Sequence, residues 1–319
     1  MSKMSSVHWM LCGLVLTAGV ARSAESESEA LARARTANQA KDFATSLAIY
    51  QDWSRRGSAE ATQFLGLMYW SGTGVAKDHG HACDLFAEAE KKSNPTGTEL
   101  LADCYFHGDG RPQDYRQSAS LYSRASERGL AVADCALGNQ YLQGFGVAKD
   151  PVKAFALCRK SAERGVADAQ TDLAQMYLSG TGVERNPEQA AQWFQKAMDQ
   201  GQGNAAFFLG TLRWNGDGVE RDHYLAASAW LVAARHGNTY APGRLAKYYF
   251  TTSLVADSQQ VRVEPAVKTI YWATIATRVD PDPAARQESQ KLIEMLLKVA
   301  PTLKAGADSL LAKPEIPPL

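Results

Sequence analysis

Residues 169–197 read AQTDLAQMYLSGTGVERNPEQAAQWFQKA and contain the pattern that decides the fold. The glycine pair of this stretch, Gly180 and Gly182, belongs to a phrase that occurs five times along the chain. The first glycines of the five copies stand at positions 72, 108, 144, 180 and 216, so every interval is 36 residues. A fixed period between about 20 and 50 residues is the signature of a repeat array.

Apolar residues on both sides of each glycine loop keep a helical spacing. Leu173 and Tyr177 lie four residues apart before the loop, and Phe194 marks the buried face of the segment after it. Spacing of this kind indicates one buried face of an α-helix. Asn186 and its equivalents are suited to cap a second helix, which Gly201 and its equivalents end. Each unit is therefore predicted to be two antiparallel helices, and stacked units form an all-α, right-handed α-solenoid with one concave face.

The 36-residue period also predicts how the chain is divided. Five full repeats occupy residues 58–237, and the phase of Tyr50 and Gly57 indicates a lone second helix before them. Leu245 and Tyr249 stay in phase after them, but Thr252 replaces the loop glycine. The predicted parts are a signal peptide, an N-terminal helical cap, the five repeats, a degenerate sixth repeat, and a capping helix with a proline-rich tail: residues 1–23, 24–57, 58–237, 238–278 and 279–319.

Two phrases resemble a known family. The sequence of residues 169–183, Ala-Gln-x-x-Leu-Ala-x-x-Tyr-x-x-Gly-x-Gly-Val, and that of residues 190–197, Ala-x-x-Trp-Phe-x-Lys-Ala, are similar to the Sel1-like repeat, a relative of the tetratricopeptide repeat. The resemblance covers residues 58–237 strongly and residues 42–57 and 238–277 weakly. It implies a helical scaffold or adaptor that binds other proteins, often outside the bacterial cytoplasm.

The N-terminus has the features of a secretory signal peptide. An apolar run at residues 7–20 follows Lys3, and small residues precede a predicted cleavage point after Ser23. An uncleaved anchor is the alternative. Cleavage removes Lys3 and Arg22 but no acid, so 34 basic residues become 32 against 34 acidic ones. A periplasmic or secreted protein is expected, without stable membrane insertion, and the absence of a basic excess argues against nucleic-acid binding.

Four cysteines follow the predicted cleavage point, which suits an oxidising compartment. Cys135 and Cys158 lie 12 residues before and 11 residues after Val147, so antiparallel helices bring them to similar heights. Cys83 and Cys104 likewise flank the turn between the first two repeats. At least one disulfide is predicted, and four buried free thiols are the alternative.

No catalytic, cofactor or metal site is predicted. The glycine loop follows no strand, unlike a phosphate-binding loop. His79, His81, Cys83 and His107 could supply metal ligands, but a helix capped by Asp78 would scatter the side chains of His81 and Cys83 around its axis. A cysteine-rich branch of the Sel1-like family is linked to β-lactam binding or hydrolysis. That branch carries a cysteine pair in nearly every repeat, and this chain contains neither such a series nor Ser-x-x-Lys.

One apolar position in the first helix of every repeat is a candidate binding surface. We call these residues the ladder: Trp70, Phe106, Leu142, Leu178, Trp214 and Phe250. Polar residues on its flank would complete a mixed groove with an acidic early part: Gln63, Glu99, Asp103, Asn139 and Gln175. Tryptophan is a frequent interface hot spot. Packing between neighbouring repeats is the alternative role of the ladder.

The sequence thus predicts a monomeric, non-enzymatic scaffold that binds a protein partner in its concave groove. Three roles compete within this class. The protein could be an envelope regulator, an immunity protein against a toxin delivered to the periplasm, or an exported factor that binds a host protein. A β-lactam-binding or hydrolysing enzyme is the alternative from a different class. Capture of the partner would discriminate among these roles.

Overall fold

The computed structural model describes residues 25–254, 261–313 and 316. The predicted signal peptide lies outside these residues. Sixteen α-helices and one isolated antiparallel bridge, between Leu254 and Val261, occur in the described part. The helices are α1 Glu27–Gln39, α2 Phe43–Arg55, α3 Ala59–Ser71, α4 His79–Lys91, α5 Pro95–His107, α6 Tyr115–Glu127, α7 Ala131–Gln143, α8 Pro151–Glu163, α9 Ala167–Ser179, α10 Pro187–Asp199, α11 Gly203–Asn215, α12 His223–Arg235, α13 Ala241–Ser253, α14 Val263–Val279, α15 Pro283–Val299 and α16 Leu303–Leu311.

The helices pair as a right-handed α-solenoid. Each repeat consists of an odd-numbered first helix and an even-numbered second helix, each of 13 residues from α3 to α12. Consecutive helices pack against each other, and the first helices α3 and α5 also approach each other directly. We therefore call the exposed side of the first helices the inner face and that of the second helices the outer face.

The helix ends follow the predicted capping chemistry. The Asp150 side chain accepts a hydrogen bond from the backbone N–H of Lys153, 2.9 Å away, and Pro151 occupies the first turn of α8. Each first helix from α3 to α11 ends at a left-handed glycine, such as Gly180 with φ +73°. From α2 to α12, the second helices are followed by left-handed glycines, except that Ser93, with φ 61°, takes this place after α4. These ends fix the length of each helix and therefore the period.

The second glycine of each loop joins neighbouring repeats. Gly182 has φ +71°, and a Cβ built on it would overlap the backbone carbonyl of Pro151, the first residue of α8 in the preceding repeat. Gly110, Gly146 and Gly218 lie in the same way against the first residues of α4, α6 and α10. The glycine pair therefore has two functions, since the first glycine ends a helix and the second brings two repeats into backbone contact.

Within a repeat, the small residue that follows the recurring leucine of the first helix lets the two helices approach each other. A Cβ on Gly66 would lie 2.5 Å from the Phe86 ring, and one on Gly210 would lie 2.6 Å from Trp230. Phe86 and Trp230 are almost fully buried, as are the aliphatic residues Leu173 and Leu245 of first helices. The core thus includes aromatic rings from second helices that pack on the backbone of first helices.

The two ends of the array differ from the repeats. At the N-terminus, α1 pairs with α2, so this unit has a first helix that the sequence did not indicate. At the C-terminus, α14 has 17 residues and is longer than the 13-residue helices of the repeats, and α16 was not predicted. α15 packs against α14 and also contacts α13. Within residues 25–254 and 261–313, no helix is both long enough and apolar enough to cross a bilayer.

Candidate partner-binding surface

The ladder residues are half-buried, and three of the aromatic ones stack on the second helix of their own repeat. The Trp70 ring stacks on His79 with centroids 4.2 Å apart, and Trp214 stacks on His223 at the same distance. Phe106 meets Tyr115 edge-on at 5.4 Å. In each case the partner is the first residue of the second helix in the same repeat. The aromatic ladder residues therefore hold the helix pair together and present only part of their surface to solvent.

A neighbouring set of positions on the first helices is more exposed. These positions recur at i, i+4, i+7 and i+11 along each helix and so share one face. We call this set the inner stripe, and in the central repeats it comprises Val132, Ala136, Asn139, Gln143, Asp168, Asp172, Gln175, Ser179, Asn204, Phe208, Thr211 and Asn215. Asn139 and Gln175 of the predicted flank belong to it, whereas Gln63 is only 8% exposed and adds no open surface.

The acidic early part of the predicted groove consists of two neighbouring carboxylates on α5. Glu99 and Asp103 lie one turn apart, and the Tyr122 hydroxyl donates a hydrogen bond to the Asp103 carboxylate. Burial, followed by the charge of Asp103, raises the pKa of Glu99 to about 7. Burial also raises the pKa of Asp103, against the effects of the Tyr122 hydrogen bond and the His107 charge. This part of the inner face therefore carries its negative charge at an energetic cost.

Three of the predicted groove residues meet at a small cavity between α7 and α9. Its volume is about 150 Å³, and its lining consists of Asn139, Leu142, Asp172, Gln175, Met176, Ser179 and Thr181. The Asn139 amide donates a hydrogen bond of 3.0 Å to the Asp172 carboxylate. Asp172 was not predicted as a site residue. Its place in the inner stripe becomes evident only when the helix is seen in three dimensions.

A larger cavity lies at the C-terminal end of the inner face. It has a volume of about 630 Å³ and is lined by residues of α11, α13 and α15, by Tyr240 just before α13, and by Asp280 and Asp282 in the connection from α14 to α15. Phe207 and Tyr240 form an aromatic wall, with ring centroids 5.8 Å apart. The sequence did not predict this cavity because it depends on where α15 folds back against α13.

Both cysteine pairs are disulfides in the structure. Cys83 and Cys104 join α4 to α5 across two repeats, and Cys135 and Cys158 join α7 to α8 within one repeat. Cys158 occupies the phase at which the other repeats carry a buried aromatic ring, such as Phe194. The bridge therefore replaces an aromatic contact in the third repeat.

The possible metal ligands of the sequence have other contacts. Cys83 is bonded to Cys104, the His79 ring stacks on Trp70, and the His81 ring meets Tyr69 edge-on at 4.4 Å. Sulfur atoms of Cys135 and Cys158 also lie within 4.8 Å of a carboxylate oxygen of Asp172. Those two sulfurs are bonded to each other, so this group offers one carboxylate rather than three free ligands.

Asp134 is a buried acid that the sequence analysis did not single out. It is fully buried on α7, where Lys160 contacts one carboxylate oxygen at 2.8 Å and Arg164 the other at 3.5 Å. The Ser126 hydroxyl also donates a hydrogen bond to it. Thr98 occupies the equivalent place on α5 and accepts a 2.6 Å hydrogen bond from Arg128. These contacts tie the start of a first helix to the end of its second helix and have a structural role.

Paired helices with a period of 36 residues and an exposed face on the first helices define a helical-repeat protein. A family model described as Sel1 repeat matches residues 59–94, 98–130, 131–166, 167–202 and 203–238, which together make up more than half of the chain. The chain belongs to the Sel1 repeat family, whose fold is typically a non-catalytic scaffold for protein interactions. No curated protein matches the sequence.

Solved structures of bacterial proteins are similar to this chain to different degrees. A protective antigen present in uropathogenic Escherichia coli strains is 26% identical with a TM-score of 0.65; the match covers 89% of this chain and 61% of that one. A Sel1 repeat protein from Oxalobacter formigenes is 23% identical with a TM-score of 0.66, covering 83% and 98%. An immunity protein from Pseudomonas aeruginosa is 18% identical with a TM-score of 0.44, covering 81% and 89%. This chain thus spans about three fifths of the length of the Escherichia coli protein.

Proposed function

We propose that this protein is a non-enzymatic scaffold of the bacterial envelope that binds a protein partner on its inner face. The observation that carries the proposal is the inner stripe, most of whose residues are solvent-exposed along successive first helices. Other repeat positions, including the ladder and the loop glycines, are engaged in packing. A surface that recurs every 36 residues and is mostly open to solvent is suited to extended contact with another polypeptide.

The frame behind this surface is rigid before any partner binds. Capped helices, glycine loops that dock on the preceding repeat, and two disulfides hold neighbouring helices in place. A preformed surface loses little conformational freedom on binding, which favours affinity. Binding on such a frame needs no chemical step.

The two disulfides are compatible with a location outside the cytoplasm. Together with the proposed signal peptide at residues 1–23, they support an envelope or secreted location. Within that setting we propose a regulatory or an immunity role, and the identity of the partner separates the two. A sensor protein as the partner indicates regulation, and a secreted toxin indicates immunity.

Capture from an envelope extract tests this function. Gln143→Trp with Asn215→Trp places two bulky side chains on exposed positions of the inner stripe, 72 residues apart. Ser120→Trp with Gln192→Trp places the same side chains, at the same spacing, on exposed positions of the outer face. We expect the wild type and the outer variant to retain one specific protein and the inner variant to lose it, with unchanged helical circular dichroism in all three.

Loss of capture by the outer variant alone would contradict the proposal. Hydrolysis of a chromogenic β-lactam by the purified protein, abolished by a point mutation, would contradict its non-enzymatic character. Retention of a host protein rather than an envelope protein would replace the envelope role with that of an exported factor.

A further inference from the structure

The cavity between α7 and α9 has one charged wall and otherwise neutral walls. Asp172 supplies the charge, and the amides of Asn139 and Gln175 and the hydroxyls of Ser179 and Thr181 supply the remaining polar groups. Leu142 and Met176 form the apolar part. A single carboxylate beside amides, hydroxyls and aliphatic side chains is suited to a long side chain that ends in a cation.

The Asp172 carboxylate has no cation of its own. Asn139 of α7 donates a neutral hydrogen bond to it, and the Cys135 sulfur lies 3.5 Å from the same oxygen within a disulfide to Cys158 of α8. Asp168, one turn earlier on α9, is the other charged group that acts on it, and it has the same sign. In the described part of the chain, no lysine or arginine nitrogen lies within 4.0 Å of Asp172. This differs from Asp134 in the same region, which contacts two cations.

We infer that this cavity binds a lysine or arginine side chain of the protein partner, with its charged end on Asp172 and its methylene stem against Leu142 and Met176. The inference rests on the proposed function and names the chemistry of one contact within it. A volume of about 150 Å³ leaves room for one guanidinium or ammonium group and the adjoining methylenes.

The energetics of the free protein favour such a contact. Burial raises the pKa of Asp172 above its ordinary value, and the charge of Asp168 adds to this effect, while the Asn139 hydrogen bond opposes it. A bound cation stabilises the ionised form and lowers the pKa again. Binding is therefore expected to weaken as the pH falls through the pKa of Asp172, and to weaken with added salt because the cavity is partly open to solvent.

Two small probes test the cavity without a known partner. N-acetyl-arginine amide carries the proposed group, and N-acetyl-citrulline amide has nearly the same shape without the charge. We expect arginine amide to shift the side-chain amide NMR signals of Asn139 and Gln175, with a dissociation constant about tenfold or more below that of citrulline amide. Equal affinity for the two probes, or shifts centred on Glu99 and Asp103 instead, would overturn the inference.

Matched variants locate the charge. Asp172→Asn keeps the shape of the side chain and should abolish the preference for arginine amide and its pH dependence. Glu188→Gln removes an exposed acid of the outer face on α10, which does not line the cavity, and should change the affinity about twofold or less. Gln175→Lys should block the probe by placing a cation in the cavity. Unaltered binding by Asp172→Asn, or unaltered binding by Gln175→Lys, would contradict the assignment.

The partner then separates this inference from the proposed function. If a partner captured on the inner face binds Asp172→Asn about tenfold more weakly, the contact is part of that interface. If the inner tryptophan variant loses the partner while Asp172→Asn keeps full affinity, the scaffold function stands and the inference fails. If neither inner-face change affects the partner, the proposed function itself fails.

Discussion

At the scale of single residues, the second glycine of each loop determines how closely two repeats approach. Gly182 lies against the Pro151 carbonyl with φ +71°, whereas Gly165, also left-handed with φ +89°, has no atom within 4 Å of an added Cβ. The two positions require the same backbone conformation and differ only in what surrounds them. Alanine substitutions at the two positions therefore distinguish the free-energy cost of a left-handed residue from the cost of pushing two repeats apart.

Gly165→Ala should lower the free energy of unfolding by about 1 kcal/mol, the cost of a left-handed conformation for an L-residue. Gly182→Ala should lower it by at least about 2 kcal/mol more, because the new methyl group overlaps the neighbouring backbone. Urea denaturation followed by circular dichroism measures both values. Equal destabilisation would show that the loop docking contributes nothing to stability.

Glu99 provides a pH test at the same scale. Its pKa is raised from the ordinary value of 4.5 to about 7 in the folded protein, so the folded state holds a proton that the unfolded state releases between these pH values. The contribution of Glu99 to stability therefore falls as the pH rises from about 4.5 to 7. Glu99→Gln should raise the melting temperature at pH 8 relative to the wild type and leave it nearly unchanged at pH 4. A larger gain at pH 4 would contradict the burial of this carboxyl.

At the scale of helices, the period predicted most of what the structure contains. The sequence predicted the helix caps, the loop glycines and the buried face of each second helix, because these are local signals that repeat in phase. Examples are the caps Asp150 and Asn186 and the buried ring of Phe194. The first helix of the N-terminal unit, the start of α14 and the whole of α16 could not, since they lie where the phase is lost. The degree of burial of the ladder residues could not be predicted from the sequence either, because it depends on which ring of the second helix each residue contacts.

The disulfide in the third repeat gives an element-scale prediction. Cys135→Thr with Cys158→Phe introduces the residues found at the equivalent positions of the fourth repeat, Thr171 and Phe194, and so removes the bridge but restores a ring. Cys135→Ala with Cys158→Ala removes the bridge and introduces no ring. Loss of a bridge over 23 residues costs about 3 kcal/mol, and the alanine pair adds the cost of a cavity. Chemical denaturation should therefore rank the wild type above the threonine–phenylalanine pair, and that pair above the alanine pair.

At the scale of the whole molecule, the repeat array separates packing from recognition. Loop glycines and buried rings recur in nearly every repeat and build the frame, whereas the inner stripe changes from repeat to repeat, with Asp172 in the fourth and Phe208 in the fifth. The near-neutral total charge hides this division, since the acidic groups of the inner face, such as Glu99 and Asp103, are balanced elsewhere. The central claim is that the partner contacts this variable inner face.

Site-specific photocrosslinking in intact cells tests that claim most directly. A benzophenone side chain would be placed singly at Gln143 and Asn215 of the inner stripe and at Ser120 and Gln192 of the outer face, all of which are exposed. The account predicts that the same partner crosslinks at both inner positions and at neither outer position. Crosslinks to that partner from the outer positions, with none from the inner ones, would contradict it.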